Sequence, residues 1–318
     1  MWWKDAKLSL NTCVMKDIYK GSNFMNDNKA ARTAKIKLIT SMVTFGTIGI
    51  FVKYIDLPSS IIALGRGFIA TLFLLMVMKL SKNPISKEAV KRNKWLLLIS
   101  GGLIGFNWIL LFEAYNYTTV AVATLCYYLA PIFVIIASPF VLGEKLTAKK
   151  GVCVAAALLG MVLVSGVIQS GSAADFSLKG VAFGVGAGAL YATIILMNKK
   201  LKNISSYDTT VMQLAAATIV LLPYCLLTVP VASLTFSPVA VGMLLFVGIV
   251  HTGIAYVMYF GSMKDLKAQT VAIFSYIDPI LAVLLSAFLL KESMDMLSVV
   301  GAVLILGSTF VSEMLDRK

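Results

Sequence analysis

The sequence predicts an all-α polytopic membrane protein, ten transmembrane helices in two inverted five-helix repeats. Three observations carry this. Hydrophobic residues make up 59% of the 318 and charged residues only 14%, with a mean hydropathy of +0.87. A soluble domain carries roughly 25% charged residues and has no means of covering so much apolar side chain; disorder is excluded by the same composition. Second, ten apolar runs each reach the length, about 20 residues, that crosses roughly 30 Å of hydrocarbon. Third, two stretches of the chain repeat each other.

The runs fall at 36–55, 59–79, 95–115, 118–141, 150–168, 178–198, 209–229, 238–260, 268–290 and 296–314. Lipid offers no partner to an unpaired backbone group, so each run is a helix; a membrane β-barrel would alternate polarity over about ten residues. The first two runs are joined by the tight turn Asp56-Leu57-Pro58, where proline closes one helix and opens the next. Only Asn116-Tyr117 separates the third from the fourth. Residues 1–35 read as a polar cytoplasmic tail with no apolar stretch of signal-peptide type. A start at Met25 instead of Met1 would leave residues 1–24 untranslated and give a short basic N-terminus.

The net charge is +13, a balance that in a soluble chain suggests nucleic acid. Its location argues otherwise. With the N-terminus inside, the inner segments hold 24 of the 28 Lys and Arg and the outer loops only Lys53, Lys179 and Lys291. This asymmetry predicts a multi-pass plasma-membrane protein with both termini cytoplasmic, its basic loops against anionic lipid headgroups and no nucleic-acid partner. The four cysteines, Cys13, Cys126, Cys153 and Cys225, form no CxxC pair, and His251 is the single histidine. Neither a zinc site nor another cofactor is expected.

The repeat aligns ATLCYYLAPIFVIIASPFVLGEKL (123–146) with VAIFSYIDPILAVLLSAFLLKESM (271–294), setting Tyr128 against Tyr276, Pro131 against Pro279 and Glu144 against Glu292. A slip of one residue then sets Gly160 against Gly307. Gly105, Trp108 and Phe112 match Gly253, Tyr256 and Phe260 more weakly, and Arg66 falls opposite Gln213. The unit is five helices, and an odd number inserts the second copy upside down. The two units are residues 36–168 (helices one to five) and 178–314 (helices six to ten). Inverted repeats of this kind suggest a secondary transporter whose halves rock about a central site.

On these features the sequence resembles the drug/metabolite transporter superfamily, EamA type. The resemblance rests on the five-plus-five spans, on Arg66 and Ala70 in span two, and on the block from Pro131 to Leu142-Gly143-Glu144-Lys145-Leu146 with its copy from Asp278-Pro279 to Leu290-Lys291-Glu292. Gly160 and Gly307 also fit. It covers about residues 36–314. It implies a carrier of small metabolites across the plasma membrane, often outward, through a cavity open to one side at a time, in some members driven by protons. The sequence departs where the family often has Glu before the helix-nine proline: here stands Asp278, with Ala130 in helix four. The N-terminal tail is also atypical.

Arg66 lies about two turns into span two, where a charge is costly and must face protein or a water-filled cavity. It is either an anchor for an anionic substrate group or half of a structural ion pair, with Glu113 as the acidic candidate. Asp278, near the middle of span nine, is a carboxylate in a low-dielectric setting and can exchange a proton in the cycle. His251, near mid-depth in span eight, is its possible partner or a packing histidine. Pro131 and Pro279 each free helix carbonyls at mid-membrane and read as paired gating hinges or as static kinks. Asn107, Trp108, Tyr128, Tyr276 and Gln213 join Arg66 as candidate substrate contacts, against plain packing. The G-x-x-x-G steps at Gly180, Gly184 and Gly188 and at Gly101 and Gly105 read as close helix packing rather than as a dimer seam, and both monomer and homodimer stay open. Glu144 and Glu292 read as loop caps. Walker A, HExxH and G-x-S-x-G motifs are missing, so the chain is read as a transporter and not an enzyme. The substrate is a small molecule, an amino acid or related organic ion, and export is the expected direction. The alternative, a non-transporting intramembrane enzyme or sensor, has no use for the pseudo-symmetry.

Overall fold

Helices account for the described chain from end to end. The structure is a computed structural model, and it describes residues 29–118, 120–164, 168, 177–230, 232, 234–289 and 296–316. Most of the N-terminal tail, and with it Cys13, lies outside them, as do Lys291 and Glu292.

The helices run α1 Lys29–Val52, α2 Ser59–Leu80, α3 Lys87–Tyr117, α4 Val120–Tyr127, α5 Ala130–Leu142, α6 Ala148–Val164, α7 Leu178–Lys199, α8 Ser206–Thr228, α9 Pro238–Phe246, α10 Ala255–Ser262, α11 Ala268–Phe274, α12 Ile277–Leu289 and α13 Met296–Asp316. Among the described residues, seven helical rods are long and apolar enough to cross a membrane. Their polarity is inverted relative to a soluble bundle. Phe140 and Leu227 are each 87% exposed, while Asn107, Gln213, Gln269 and Ser138 are buried. Lipid rewards this arrangement, because apolar faces lose nothing by facing hydrocarbon and polar side chains need partners inside.

Serine starts four of the helices. Ser86, Ser177, Ser205 and Ser237 each accept the backbone N–H three residues on, which satisfies one of the donors that every helix start leaves open. At Asp56-Leu57-Pro58 the Pro58 carbonyl accepts from Ile62 N at 3.0 Å. Gly143 closes α5 in the left-handed conformation at φ 70°, the usual use of glycine past a helix end. That turn lets Glu144 accept from Ala268 N at 2.7 Å and Gln269 N at 3.2 Å. Glu144 is thus a cap, holding the start of α11.

Three interruptions position the site, and two were foreshadowed by proline. The fourth predicted span breaks at Tyr128-Leu129 and the ninth at Ser275-Tyr276. Pro131 and Pro279 sit in the first turn of the helices that restart there, α5 and α12, where a missing N–H costs little. The third interruption had no signal in the sequence analysis: residues Val247–Ile254 are π-helical, joining α9 to α10. Thr252 Oγ1 donates back five residues to Val247 O at 3.2 Å.

The glycine steps seat helices inside the chain. A methyl built on Gly101 would lie 2.7 Å from Ala216 Cβ, on Gly184 2.8 Å from Cys126 Cβ, and on Gly188 2.8 Å from Tyr127 O. Real Cβ contacts are never so short, so α3 meets α8, and α7 meets α4, at backbone distance. α6, at the chain's midpoint, also packs along α13, the last described helix.

Candidate functional site

A cavity of about 260 Å³ opens between α1, α2, α3, α7, α10 and the two proline bends. Half of its lining residues are aromatic. Tyr127 stacks on Tyr191 with ring centroids 5.5 Å apart, and Tyr256 meets Trp108 edge-on at 6.5 Å. Phe45 of α1 closes one side, edge-on to Tyr256 at 5.3 Å.

A guanidinium and a carboxyl group face this space. The Arg66 guanidinium lies over the Trp108 ring, 4.4 Å from its centroid, a cation–π contact that partly replaces lost hydration. Its Nε is buried with no hydrogen-bond partner, and among the described residues no carboxylate lies within ion-pair distance of it. Glu113 is engaged elsewhere: it accepts from Tyr224 Oη at 2.6 Å. A half-buried guanidinium within a membrane-spanning helix and without a counter-ion is costly, so the position is suited to an anion that arrives. Asp278 lines the cavity from the second bend. Gly46 of α1 seats against this bend, since a methyl there would lie 2.7 Å from Asp278 O.

The other candidates are distributed unevenly. Asn107, Trp108 and Tyr128 line the cavity with Arg66 and Asp278, although Asn107 Nδ2 is already committed to Ala187 O at 2.6 Å. Tyr276 is fully buried behind the bend and donates to Tyr128 O at 3.1 Å. Gln213 lies in a separate network between α3, α7 and α8, donating to Asn198 Oδ1 at 3.0 Å and to Ser100 Oγ. His251 stands apart from Asp278. Its Nε2 meets Thr47 Oγ1 at 2.9 Å, and its ring lies 5.1 Å from Phe51 and 5.6 Å from Phe246. Thr47 already donates its one hydroxyl proton to Thr44 O at 2.7 Å, so it accepts from His251, which carries the proton on Nε2. Tyr191 and Tyr259, their hydroxyl oxygens 2.5 Å apart, line the cavity; they are two of the aromatics within the predicted spans that are open, on sequence, to lining a cavity or to plain packing. Only their places in α7 and α10 bring them together.

An unpaired cation, a carboxylate and aromatic walls around a small cavity suit a small charged molecule, and nothing in the wall pairs a nucleophile with a base. The EamA-like transporter family matches the chain twice, over residues 33–166 and 178–314, which suggests an internal repeat. An uncharacterized transporter of Bacillus subtilis (strain 168), YxxF, is 32% identical over 281 residues, covering 87% of this chain and 88% of its own. An uncharacterized transporter of Archaeoglobus fulgidus is 27% identical over 291 residues, covering 89% and 97%. A solved crystal structure superposes with a TM-score of 0.78 at 19% identity, over 90% of this chain and 98% of that one, and shares its fold. With both family matches falling on the apolar helices that build the cavity, the chain belongs to the EamA-like transporter family of the drug/metabolite transporter superfamily, as a multi-pass membrane transporter of a small molecule and not an enzyme.

Proposed function

We propose that the chain exports a small organic ion, an amino acid or related metabolite, across the plasma membrane by alternating access. Its ten spans form two inverted five-helix halves, 36–168 and 178–314, with both termini cytoplasmic. Arg66 holds the anionic group of the substrate, Asp278 exchanges a proton during the cycle, and the bends at Pro131 and Pro279 are the hinges on which the halves rock. The observation that carries this reading is the Arg66 guanidinium, in the cavity wall without a carboxylate partner. The bends support it by their equivalence: the repeat sets Tyr128 against Tyr276 and both lie at a break. The charge asymmetry of the loops supports the orientation. His251, held by Thr47 and two phenylalanine rings, is assigned to seating α1 rather than to the proton step.

The test is flux in proteoliposomes with a panel of labelled amino acids and organic acids. Arg66→Gln is expected to abolish transport, and Asp278→Asn to remove its acceleration by a pH gradient. Transport intact in Arg66→Gln removes the anchor; transport indifferent to both Asp278→Asn and the gradient removes the proton step.

A further inference from the structure

A second cavity, of about 410 Å³, lies apart from the first, between the turn that follows α2 and the start of α8. Met78, Ser81 and Asn83 line one side of it, and Ser205, Tyr207 and Asp208 the other. α2 and α8 pack on each other. Both are long and apolar enough to cross a membrane, one ending at Leu80 and the other starting at Ser206. The cavity therefore sits at the level where lipid chains give way to headgroups. The turn fixes its α2 side: Ser81 N donates to Val77 O at 2.9 Å and Asn83 N to Met78 O at 3.0 Å.

Asp208 is the part of this wall that asks for a ligand. It is only 4% exposed. Its Oδ1 is buried with no hydrogen-bond partner, and no ion pair joins it to a cation among the described residues. Ser205 caps the helix by accepting the Asp208 N–H at 2.9 Å, which does nothing for the carboxylate. Lys264 reaches the chain just before α8 but donates to Ile204 O. A buried carboxylate oxygen without a donor is costly, and the partial positive charge of a helix start offsets only part of that cost. What is missing is a cation that carries N–H or O–H donors.

The rest of the wall narrows the choice. Ser81, Asn83, Ser205 and Tyr207 add neutral oxygen acceptors, and a tyrosine ring offers its face to a cation. The volume falls in the range of small-molecule sites, about 300–1,000 Å³, far beyond a bare metal ion. Among the described residues no group of three or more His, Cys, Asp or Glu could hold a metal. An ammonium on a small organic group suits this interior. The rim has the opposite requirement: Lys79 and Lys82, both exposed, stand on either side of Ser81 in the chain and favour an anion such as phosphate. Met76 and Leu80 of α2, also exposed, offer apolar side chains to a lipid tail.

We infer that this cavity binds a primary ammonium carried on a phosphoester, the chemistry of an ethanolamine phospholipid headgroup, with Asp208 holding the ammonium. The site is separate from the transport cavity and involves neither Arg66 nor Asp278. The same headgroup occurs free as glycerophosphoethanolamine, and the test separates the two sources.

The experiment uses the full chain. In the lipid arm it is released from nanodiscs that hold phosphatidylethanolamine and phosphatidylcholine in equal amounts with the same acyl chains, and the retained lipid is read by native mass spectrometry. Phosphatidylcholine keeps the phosphate and the positive charge but has no N–H to donate. In the soluble arm, glycerophosphoethanolamine and glycerophosphocholine are titrated onto the chain in phosphatidylcholine nanodiscs. The ethanolamine form is expected to be favoured at least about tenfold by wild type, the worth of one charge-assisted hydrogen bond. Asp208→Asn is expected to bring that ratio near one. Ser81→Phe, which fills the cavity from an exposed position, is expected to do the same and serves where Asp208→Asn folds poorly. Arg66→Gln is expected to leave the ratio as in wild type. A preference in the lipid arm identifies the phospholipid, and one in the soluble arm alone the free headgroup. No ethanolamine preference in either arm, or one that survives both Asp208→Asn and Ser81→Phe, overturns the inference.

Discussion

Tyr276 and Tyr128, 148 positions apart in the chain and equivalent in its repeat, touch: the Tyr276 hydroxyl donates to the Tyr128 carbonyl at 3.1 Å. The reason for this contact is Pro131. In a continuous helix the Tyr128 carbonyl would accept from Ile132 N, but at the bend Ile132 N turns to Leu129 O at 3.0 Å, and Pro131 has no N–H to offer. The freed carbonyl is satisfied from the other half of the chain. Tyr276→Phe is therefore expected to leave it orphaned and cost about 1–3 kcal/mol of stability, seen as a lower thermal midpoint in nanodiscs. In a Pro131→Ala background, where the helix can close on its own carbonyls, the same substitution should cost less. Strict additivity of the two would disprove the link between bend and phenol.

Arg66 tests the difference between a structural and a functional charge. A buried ion pair broken on one side costs about 3–5 kcal/mol, because the other charge is left unpaired. Arg66 has no such partner among the described residues, and its Nε makes no hydrogen bond. Arg66→Gln is expected to leave the thermal midpoint of the empty protein unchanged or higher, while affinity for carboxylates falls at least tenfold, the worth of a charge-assisted hydrogen bond of about 1.5–3 kcal/mol. A lower midpoint with unchanged affinity would show a structural role.

How far the sequence went is visible in which candidates share the cavity. Arg66 and Asp278 were legible because a charge inside a long apolar run has to be explained by protein surroundings, and the bends because Pro131 and Pro279 repeat. Gln213 and His251 were candidates too, each against a packing role, and are not among the residues lining the cavity. A helix that is apolar all round has no amphipathic stripe to tell which side faces inward, so depth could be read and direction could not. Which of the span aromatics meet, as Tyr191 and Tyr259 do, could not be read for the same reason, and the π-helical turn at His251 has no proline to mark it.

Gln213 supplies the matching control. It is fully buried and ties α8 to Ser100 of α3 and Asn198 of α7. Gln213→Leu is expected to destabilise by about 1–3 kcal/mol, since two buried partners lose a hydrogen bond, with carboxylate affinity unchanged. Loss of affinity at unchanged stability would move Gln213 into the substrate path.

Lys264, just beyond α10, gives a pH dependence. Its ammonium donates to Ile204 O, and burial holds its pKa below the ordinary lysine value, with Asp265 and Asp208 opposing that shift. The folded state therefore binds fewer protons here than the unfolded chain in the window between the lowered pKa and the ordinary value near 10.5. Stability from this group rises with pH through that window. Lys264→Met is expected to flatten the rise, as measured by thermal midpoints from neutral to alkaline pH; an identical slope in both proteins would contradict it.

Gly160 and Gly307 show where repeat equivalence stops. Matched in the repeat, they have opposite surroundings. A methyl on Gly160 would lie 2.6 Å from both Gly301 O and Ile305 Cγ1, at the α6–α13 interface, whereas nothing lies within 4 Å of one on Gly307. The first position cannot accept a side chain without pushing the two helices apart, which in a packed interior costs about 1–3 kcal/mol. The second faces outward, where alanine exceeds glycine in helix propensity by up to about 1 kcal/mol. Gly160→Ala is thus expected to lower the thermal midpoint and Gly307→Ala to hold or raise it. If the α6–α13 contact belongs to one state of the cycle only, Gly160→Ala should also change the transport rate at fixed carboxylate affinity, while Gly307→Ala leaves both alone. Equal effects at the two positions would mean that α13 does not pack on α6 as described.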